Sequence, residues 1–221
     1  MNKSELLSVA KPILFNTPMV QAILDCRKTK TRRIVKEKAL SKFNFDSTGK
    51  LLGSFDGCDM YPSTDDAPYH FGDILYIRET WCKTDCFGLQ NGYVYKADGN
   101  KNDIFKYTGF TPKWRPSIHM PKEAARIFLR VTDVRVERLQ DIITGDYKTP
   151  LNINAEGLYE PCCRCTHVNG DCKDFIKDDN CRLLNAFTEL WNGTIKKANL
   201  DRYGWDANPF VWVIEFERLE E

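Results

Sequence analysis

The stretch Arg126–Leu139, RIFLRVTDVRVERL, is the longest strand-like run in the chain. Its apolar and polar residues alternate as in a strand with one buried face. The apolar positions change parity near Thr132-Asp133, as Ile127, Leu129, Val131, Val134 and Val136 show. A bulge there, or a strand that crosses between two sheets, would explain the change. Strongly bent strands are typical of small closed barrels.

The surrounding runs complete a mixed fold. Residues 18–25 and 183–191 carry apolar side chains at helical spacing, and Thr17 is the predicted N-cap of the first helix. Short strands are predicted at Lys11–Phe15, Ile74–Trp81, Tyr93–Ala97 and Phe210–Phe216. The basic run after the first helix is the helix exit and a new strand, and residues 39–72 have loop chemistry with room for a small hairpin. We therefore predict an α+β fold: a small β-barrel with a few flanking helices.

The charge balance restricts the partners. The 221 residues carry 32 Lys and Arg against 31 Asp and Glu, so the formal net charge is +1. A protein that coats long nucleic acid usually has a basic excess, so any basic contact here must be local. The densest basic run is 27–38, with seven Lys or Arg and one Glu. By itself such a run is either a solvated face or a ligand contact.

The ends and the apolar segments predict a cytoplasmic protein. No secretory signal is visible at the start, and no segment approaches membrane-spanning length. We therefore expect no membrane partner. Nine cysteines in a chain without an export signal are more typical of free thiols or metal ligands than of disulfides.

Five cysteines lie between positions 162 and 181, with His167 among them. Cys162 and Cys165 form a C-x2-C pair, which supplies two zinc ligands from a tight turn. Cys172 and Cys181 would complete a four-thiolate site. The intervening residues are too polar to form a core, so a structural zinc would explain how they are ordered. Free thiols of a loop are the alternative.

Two stretches carry candidate ligand contacts. On the strand that begins at Ile74, Glu79 shares a face with apolar residues and with Trp81, which is unusual for a carboxylate that lacks a partner. The loop 114–121, WRPSIHMP, holds an aromatic ring, a cation, a hydroxyl and an imidazole between two prolines, and could stack and hydrogen-bond a base. Its candidate contacts are Trp114, Arg115, Ser117 and His119. Alternatively, the loop is a stiff connection with Trp114 and Met120 in the core.

Five blocks together resemble the ASCH-domain proteins of bacteriophages and prophages. They are CRKTKTRR (26–33), GDILYIRETW (72–81), WRPSIHMP (114–121), ERLQDI followed by AEG (137–157), and YGWDANPFVWVIEFERL (203–219). The resemblance covers most of the chain except 37–70 and the cysteine-rich insertion at 160–181. It implies a single PUA-like β-barrel domain over 1–221, with a cleft beside the first helix and insertions at those two places.

The resemblance also implies a site. ASCH domains are similar to RNA-binding PUA domains, and a small bacterial member removes the acetyl group from N4-acetylcytidine. Its lysine and threonine correspond to Lys28 and Thr31, and its glutamate corresponds to Glu156. A threonine hydroxyl needs a base to become a nucleophile, and a desolvated lysine can serve. Arg32 and Arg33 would then pair with charges on the ligand.

Strand geometry sets a condition on this site. On a regular strand Lys28 and Thr31 point to opposite faces, so they meet only if the chain turns sharply between them. Cys26 also stands where the family usually has glycine. A left-handed conformation at that position costs a non-glycine residue about 1 kcal/mol.

Three functions remain open at this point. The first is binding of RNA, a nucleotide or a modified nucleoside in the barrel cleft, which we favour. The second is an amidohydrolase that deacylates a nucleoside through Lys28, Thr31 and Glu156. The third is a phage accessory protein whose cysteine-rich loop contacts a host or phage protein.

Overall fold

The computed structural model describes residues 2–47, 51–52, 64–84, 92–101, 111–143, 153, 155–158 and 182–219. They form an α+β fold with five α-helices and nine β-strands. The helices are α1 (Lys3–Val9), α2 (Thr17–Leu24), α3 (Glu37–Leu40), α4 (Arg182–Thr194) and α5 (Leu200–Tyr203). The strands are β1 (Lys11–Leu14), β2 (Lys30–Ile34), β3 (Asn44–Phe45), β4 (Leu51–Leu52), β5 (Ile74–Arg78), β6 (Trp81–Lys83), β7 (Tyr93–Tyr95), β8 (Phe128–Arg138) and β9 (Phe210–Leu219). None of these helices has the length and apolar character that a membrane crossing requires.

The largest sheet has five strands in the order β1-β5-β8-β9-β2. Strands β1 and β5 are parallel, whereas β5 pairs with β8 and β2 pairs with β9 in antiparallel fashion. Two further pairs, β3-β4 and β6-β7, are separate two-stranded sheets. The described strands therefore form an open arrangement and do not close the small barrel expected from the sequence.

The chain divides into two compact units, each built from separate sequence segments. The first unit comprises Met1–Cys26, Gly72–Val131 and Phe216–Glu221. One cluster in its core joins α1 to β5, β6 and β8 and contains Leu6, Ala10, Tyr76, Trp81, Met120, Ala124, Ala125 and Phe128. Such burial of apolar surface is the main favourable contribution to folding.

The second unit comprises Arg27–Phe71 and Thr132–Glu215. One cluster in its core packs the inner face of α4 against β9 and the turn after β8, with Leu139, Ile142, Ile153, Phe187, Trp191, Val211 and Val213 buried. One of the four boundaries between the units falls between Val131 and Thr132, where the apolar pattern of β8 changes parity. Strand β8 itself is continuous through this point.

Most predicted elements are present, with shifted ends. The N-cap of α2 is Asn16 rather than Thr17, because the Asn16 side chain accepts a hydrogen bond from the Met19 backbone N–H at 3.0 Å. The strand predicted over Ile74–Trp81 is two strands, β5 and β6, separated by two residues. The predicted hairpin is confirmed as β3-β4.

Candidate ligand-binding site

The turn after α2 places the first site residue. Asp25 is the C-cap of α2, and the Cys26 backbone N–H donates to the Ile23 carbonyl at 3.0 Å. Cys26 has φ of 58°, so the left-handed conformation expected at this position is confirmed. The chain then leads into Lys28, which forms an isolated antiparallel bridge with Glu156.

The short segment 155–158 is held against the start of β2. The Ala155 carbonyl accepts hydrogen bonds from both the Thr29 and the Lys30 backbone N–H, each at 2.9 Å. Arg27 Nη1 donates to the Gly157 carbonyl at 2.7 Å, and Gly157 has φ of 87°. These hydrogen bonds fix the backbone position of Glu156, because the carbonyl groups of both neighbouring residues, Ala155 and Gly157, are engaged.

Glu156 is the centre of a buried ion cluster. Its Oε2 accepts from Lys28 Nζ at 2.7 Å, and its Oε1 accepts from Arg32 Nη1 at 2.7 Å. Lys28 Nζ also donates to the main-chain carbonyls of Lys30 at 2.7 Å and Glu156 at 3.0 Å. Relative exposure is 2% for Lys28, 4% for Arg32 and 5% for Glu156. Charges buried this deeply are stable only when they are paired.

One carboxylate serves two cations, which sets the protonation of the cluster. Burial lowers the pKa of the Lys28 ammonium, and the shared Glu156 carboxylate offsets this only in part. Burial alone would raise the pKa of the Glu156 carboxyl, but Lys28 and Arg32 outweigh that effect and hold the pKa below its ordinary value. Glu156 is therefore ionised at neutral pH.

Arg32 keeps unused hydrogen-bond donors. Its Nη1 is engaged by Glu156, but its Nε and Nη2 are buried and have no hydrogen-bond partner within the described part of the chain. Glu137 Oε2 lies 3.6 Å from Nη2, an ion-pair distance that exceeds a normal hydrogen bond. Buried N–H groups without acceptors are costly, so this edge is suited to a ligand.

A second charge network adjoins the same face of β2. Lys30 is paired with Glu215 across the β2-β9 ladder at 2.8 Å. Arg135 donates to Glu137 through Nε at 2.5 Å, to Asp133 through Nη1 at 2.5 Å, and to Glu215. Burial would lower the pKa of the Arg135 guanidinium, but these carboxylates raise it. Arg135 thus fixes Glu137 beside Arg32.

Thr31 and Arg33 share the other face of β2. Side chains alternate along a strand, so Lys30 and Arg32 point to one face, and Thr31 and Arg33 point to the other. The Thr31 hydroxyl accepts a hydrogen bond from Arg33 Nη1 at 2.8 Å, and Arg33 also binds the Arg32 carbonyl at 2.9 Å. The structure thus brings together Lys28, Arg32 and Glu156, and places the Thr31 hydroxyl against Arg33.

Glu79, in the first unit, has the partner that its burial requires. Its two carboxylate oxygens accept from Arg126 Nε at 2.9 Å and Nη2 at 3.0 Å, and Arg126 is also paired with Asp98 at 2.7 Å. Burial raises the pKa of the Glu79 carboxyl, and Arg126 only partly opposes that rise. The Arg126 guanidinium lies 3.9 Å from the centre of the Tyr95 ring.

The remaining predicted ligand contacts also lie in the first unit. Trp81 and Arg115 form an isolated main-chain bridge, and the Arg115 guanidinium lies 5.3 Å from the centre of the Trp81 ring. Ser117 and His119 begin and end a single 3-10 turn, and Trp114 is half-buried. The structure therefore joins Trp81 to Arg115 within this unit.

The four predicted zinc ligands lie in the cysteine-rich stretch. Cys162, Cys165, Cys172 and Cys181 lie outside the described residues, so the zinc site stays a prediction.

Glu137 and Arg135 were not predicted, although the sequence carries a signal for them. Asp133, Arg135 and Glu137 alternate in sign at i, i+2 and i+4, which places opposite charges side by side on one face of a strand.

No family model, curated protein or solved structure matches the chain.

Proposed function

We propose that the protein binds the base of a nucleoside or nucleotide at the Lys28–Arg32–Glu156 cluster. The observation that carries this proposal concerns two buried donors on Arg32, Nε and Nη2, which have no hydrogen-bond partner among the residues that the structure describes. A guanidinium edge presents two parallel N–H groups, which match two adjacent acceptors on a base or an oxyanion. The resemblance to ASCH domains supports a nucleoside as the ligand, and the PUA-like closed barrel it implies stays a prediction.

The rest of the cluster supports this role by positioning Arg32. Glu156 Oε1 accepts a hydrogen bond from Arg32 Nη1 and thereby fixes the plane of the guanidinium. Lys28 Nζ donates to the second carboxylate oxygen, Oε2. Because the group is held before any ligand arrives, binding loses little side-chain entropy.

The test is a binding panel with a matched pair of variants. Isothermal titration with the common nucleosides, their 5′-monophosphates and N4-acetylcytidine should yield at least one ligand. Arg32→Lys keeps the charge but removes the planar fork, so the dissociation constant should rise about tenfold or more. Arg130→Lys alters an exposed arginine that is paired with Glu217 and should have no effect. No binding across the panel, or equal binding by wild type and Arg32→Lys, would contradict the proposal.

An amidohydrolase is the second candidate, favoured by the state of Lys28. Because the pKa of Lys28 is lowered, a larger fraction of its side chain is the neutral amine at a given pH. Its hydrogen bond to Glu156 provides a path for a proton. In this reaction water adds across the amide bond, and an acylated nucleoside yields a carboxylate and the free amine. The Thr31 hydroxyl would have to exchange its contact with Arg33 for one with Lys28.

Product analysis separates the two candidates. If the protein is an amidohydrolase, it releases cytidine from N4-acetylcytidine, and both Lys28→Ala and Thr31→Ala abolish the release. If it only binds, the acylated nucleoside is recovered intact. Absence of turnover by wild type on a panel of acylated nucleosides would remove the amidohydrolase.

A further inference from the structure

Glu137 lies beside the unused donor edge of Arg32. Its Oε2 is 3.6 Å from Arg32 Nη2, while its Oε1 accepts from Arg135 Nε at 2.5 Å. The Glu137 side chain is 23% exposed, compared with 1% for Arg32. A ligand that reaches the Arg32 edge therefore comes next to this carboxylate.

The Glu137 carboxylate is held in place by its neighbours. Arg135, which binds it, is in turn bound by Asp133 and by Glu215, and Glu215 is paired with Lys30. Moving Glu137 away from Arg32 would break its contact with Arg135 inside this network. Coupled ion pairs of this kind resist removal of a single member.

The cluster and this network are nearly balanced in charge. Within the second unit, five cations lie among four carboxylates. The cations are Lys28, Lys30, Arg32, Arg33 and Arg135, and the carboxylates are Asp133, Glu137, Glu156 and Glu215. A phosphate at the Arg32 edge would meet the Glu137 carboxylate, and like charges in contact cost several kcal/mol. A neutral base edge with acceptors for the Arg32 donors and an adjoining N–H for Glu137 would instead satisfy both residues.

We infer that Glu137 makes the Arg32 site selective for the neutral edge of a nucleobase and excludes phosphate from it. This selectivity presupposes the nucleoside site proposed above and adds the chemical class that the site accepts. The phosphate of a nucleotide, where one is present, then lies away from Arg32.

Competition between a nucleoside and inorganic phosphate tests this selectivity. With wild type, the best nucleoside of the binding panel should keep its affinity in the presence of inorganic phosphate. In Glu137→Gln, phosphate should displace that nucleoside, with phosphate affinity raised about tenfold or more because a like charge has been removed.

The matched control is Glu217→Gln. Glu217 is also 3.6 Å from an arginine, Arg130, but this pair is exposed and lies in the other unit. Glu217→Gln should leave phosphate affinity unchanged. Equal gains in the two variants would show a general charge effect and would overturn the assignment to Glu137.

The outcomes separate this selectivity from the proposed function. If no nucleoside binds wild type, the proposed function fails, and the selectivity fails with it. If a nucleoside binds but phosphate displaces it from wild type, the proposed function survives and only the selectivity is overturned. If Glu137→Gln does not fold, displacement of the nucleoside from wild type by phosphate would still overturn the selectivity.

Discussion

At the scale of single residues, the site depends on one glutamate that pairs with two buried cations. Glu156 does this from a segment held by hydrogen bonds to the main-chain carbonyls of Ala155 and Gly157. Removing one member of a buried ion group leaves the others unpaired, which costs more than the group contributes when intact. Glu156 is therefore a structural residue of the second unit, and in the proposed site it also positions Arg32.

Glu156→Gln should lower the free energy of unfolding by about 3–5 kcal/mol at neutral pH, since Lys28 and Arg32 lose their counter-charge. Urea denaturation measures this loss. Glu217→Gln, at an exposed pair, should lie within about 0.5 kcal/mol of wild type. A loss below about 1 kcal/mol for Glu156→Gln would contradict the buried cluster.

The pH dependence of stability follows from the same carboxyl. The pKa of Glu156 in the folded state lies below its ordinary value of 4.5. Its contribution is therefore fully present above that value and is lost as the pH falls through the lower folded pKa. Wild type should lose more stability on acidification from pH 6 than Glu156→Gln does. Parallel pH profiles of the two proteins, measured by urea denaturation, would contradict the depressed pKa.

Cys26 carries a conformational cost that glycine would relieve. Its φ of 58° lies in the left-handed region, and its side chain is exposed. Cys26→Gly should raise the free energy of unfolding by about 1 kcal/mol, because glycine adopts this conformation without steric cost. Cys26→Ala keeps the Cβ atom and should show no gain in the same denaturation series. A destabilised Cys26→Gly would mean that the side chain makes a contact worth more than the strain.

At the scale of elements, helix α4 buries one face against the core and exposes the other. Phe187 and Trp191 are one turn apart and buried, and the Phe187 ring lies 5.9 Å from that of Trp205 in an edge-on arrangement. Trp191 Nε1 donates to the Tyr203 carbonyl at 2.8 Å, so its polar group is satisfied. The opposite side of the helix carries Glu189, which is exposed.

Phe187→Ala should cost about 3–5 kcal/mol of unfolding free energy, because a buried ring is removed and a cavity is left. Glu189→Ala on the exposed side of α4 should change it by less than about 0.5 kcal/mol. Chemical denaturation of the two variants under one set of conditions makes the comparison. Similar values for both would show that α4 does not pack through this face.

The cysteine-rich stretch yields a prediction from sequence alone. If Cys162, Cys165, Cys172 and Cys181 bind zinc, native mass spectrometry should show one bound metal, and Cys162→Ser should lose it. Cys26→Ser, at an exposed cysteine elsewhere in the chain, should retain the metal. A folded wild-type protein without metal would end the zinc prediction.

At the scale of the whole molecule, the charge balance predicts a weak response to salt. The net charge of +1 provides little long-range attraction for nucleic acid, and a base held at Arg32 releases no phosphate counterions. The dissociation constant for the best nucleoside should therefore change by less than about twofold between 50 and 200 mM salt. A loss of about tenfold or more over this range would indicate phosphate contacts at the site.

The sequence alone determined the elements whose signals are local. The helix over 183–191 and the strand over Phe210–Phe216 follow from neighbours a few residues apart, and both are confirmed. The mixed α+β class follows for the same reason. The left-handed position at Cys26 was implied by the family resemblance and is also confirmed. The N-cap of α2 was misplaced by one residue, since Asn16 and Thr17 are both good caps and only the backbone geometry distinguishes them.

The meeting of distant residues depended on the tertiary structure. Lys28 and Glu156 are 128 positions apart, and they meet because a left-handed turn and a main-chain bridge place them together. Glu137 reached Arg32 only through strand placement in the fold. Ion pairing acts over a few ångströms in space and leaves no fixed spacing along the chain, so its partners are known only once the strands are placed.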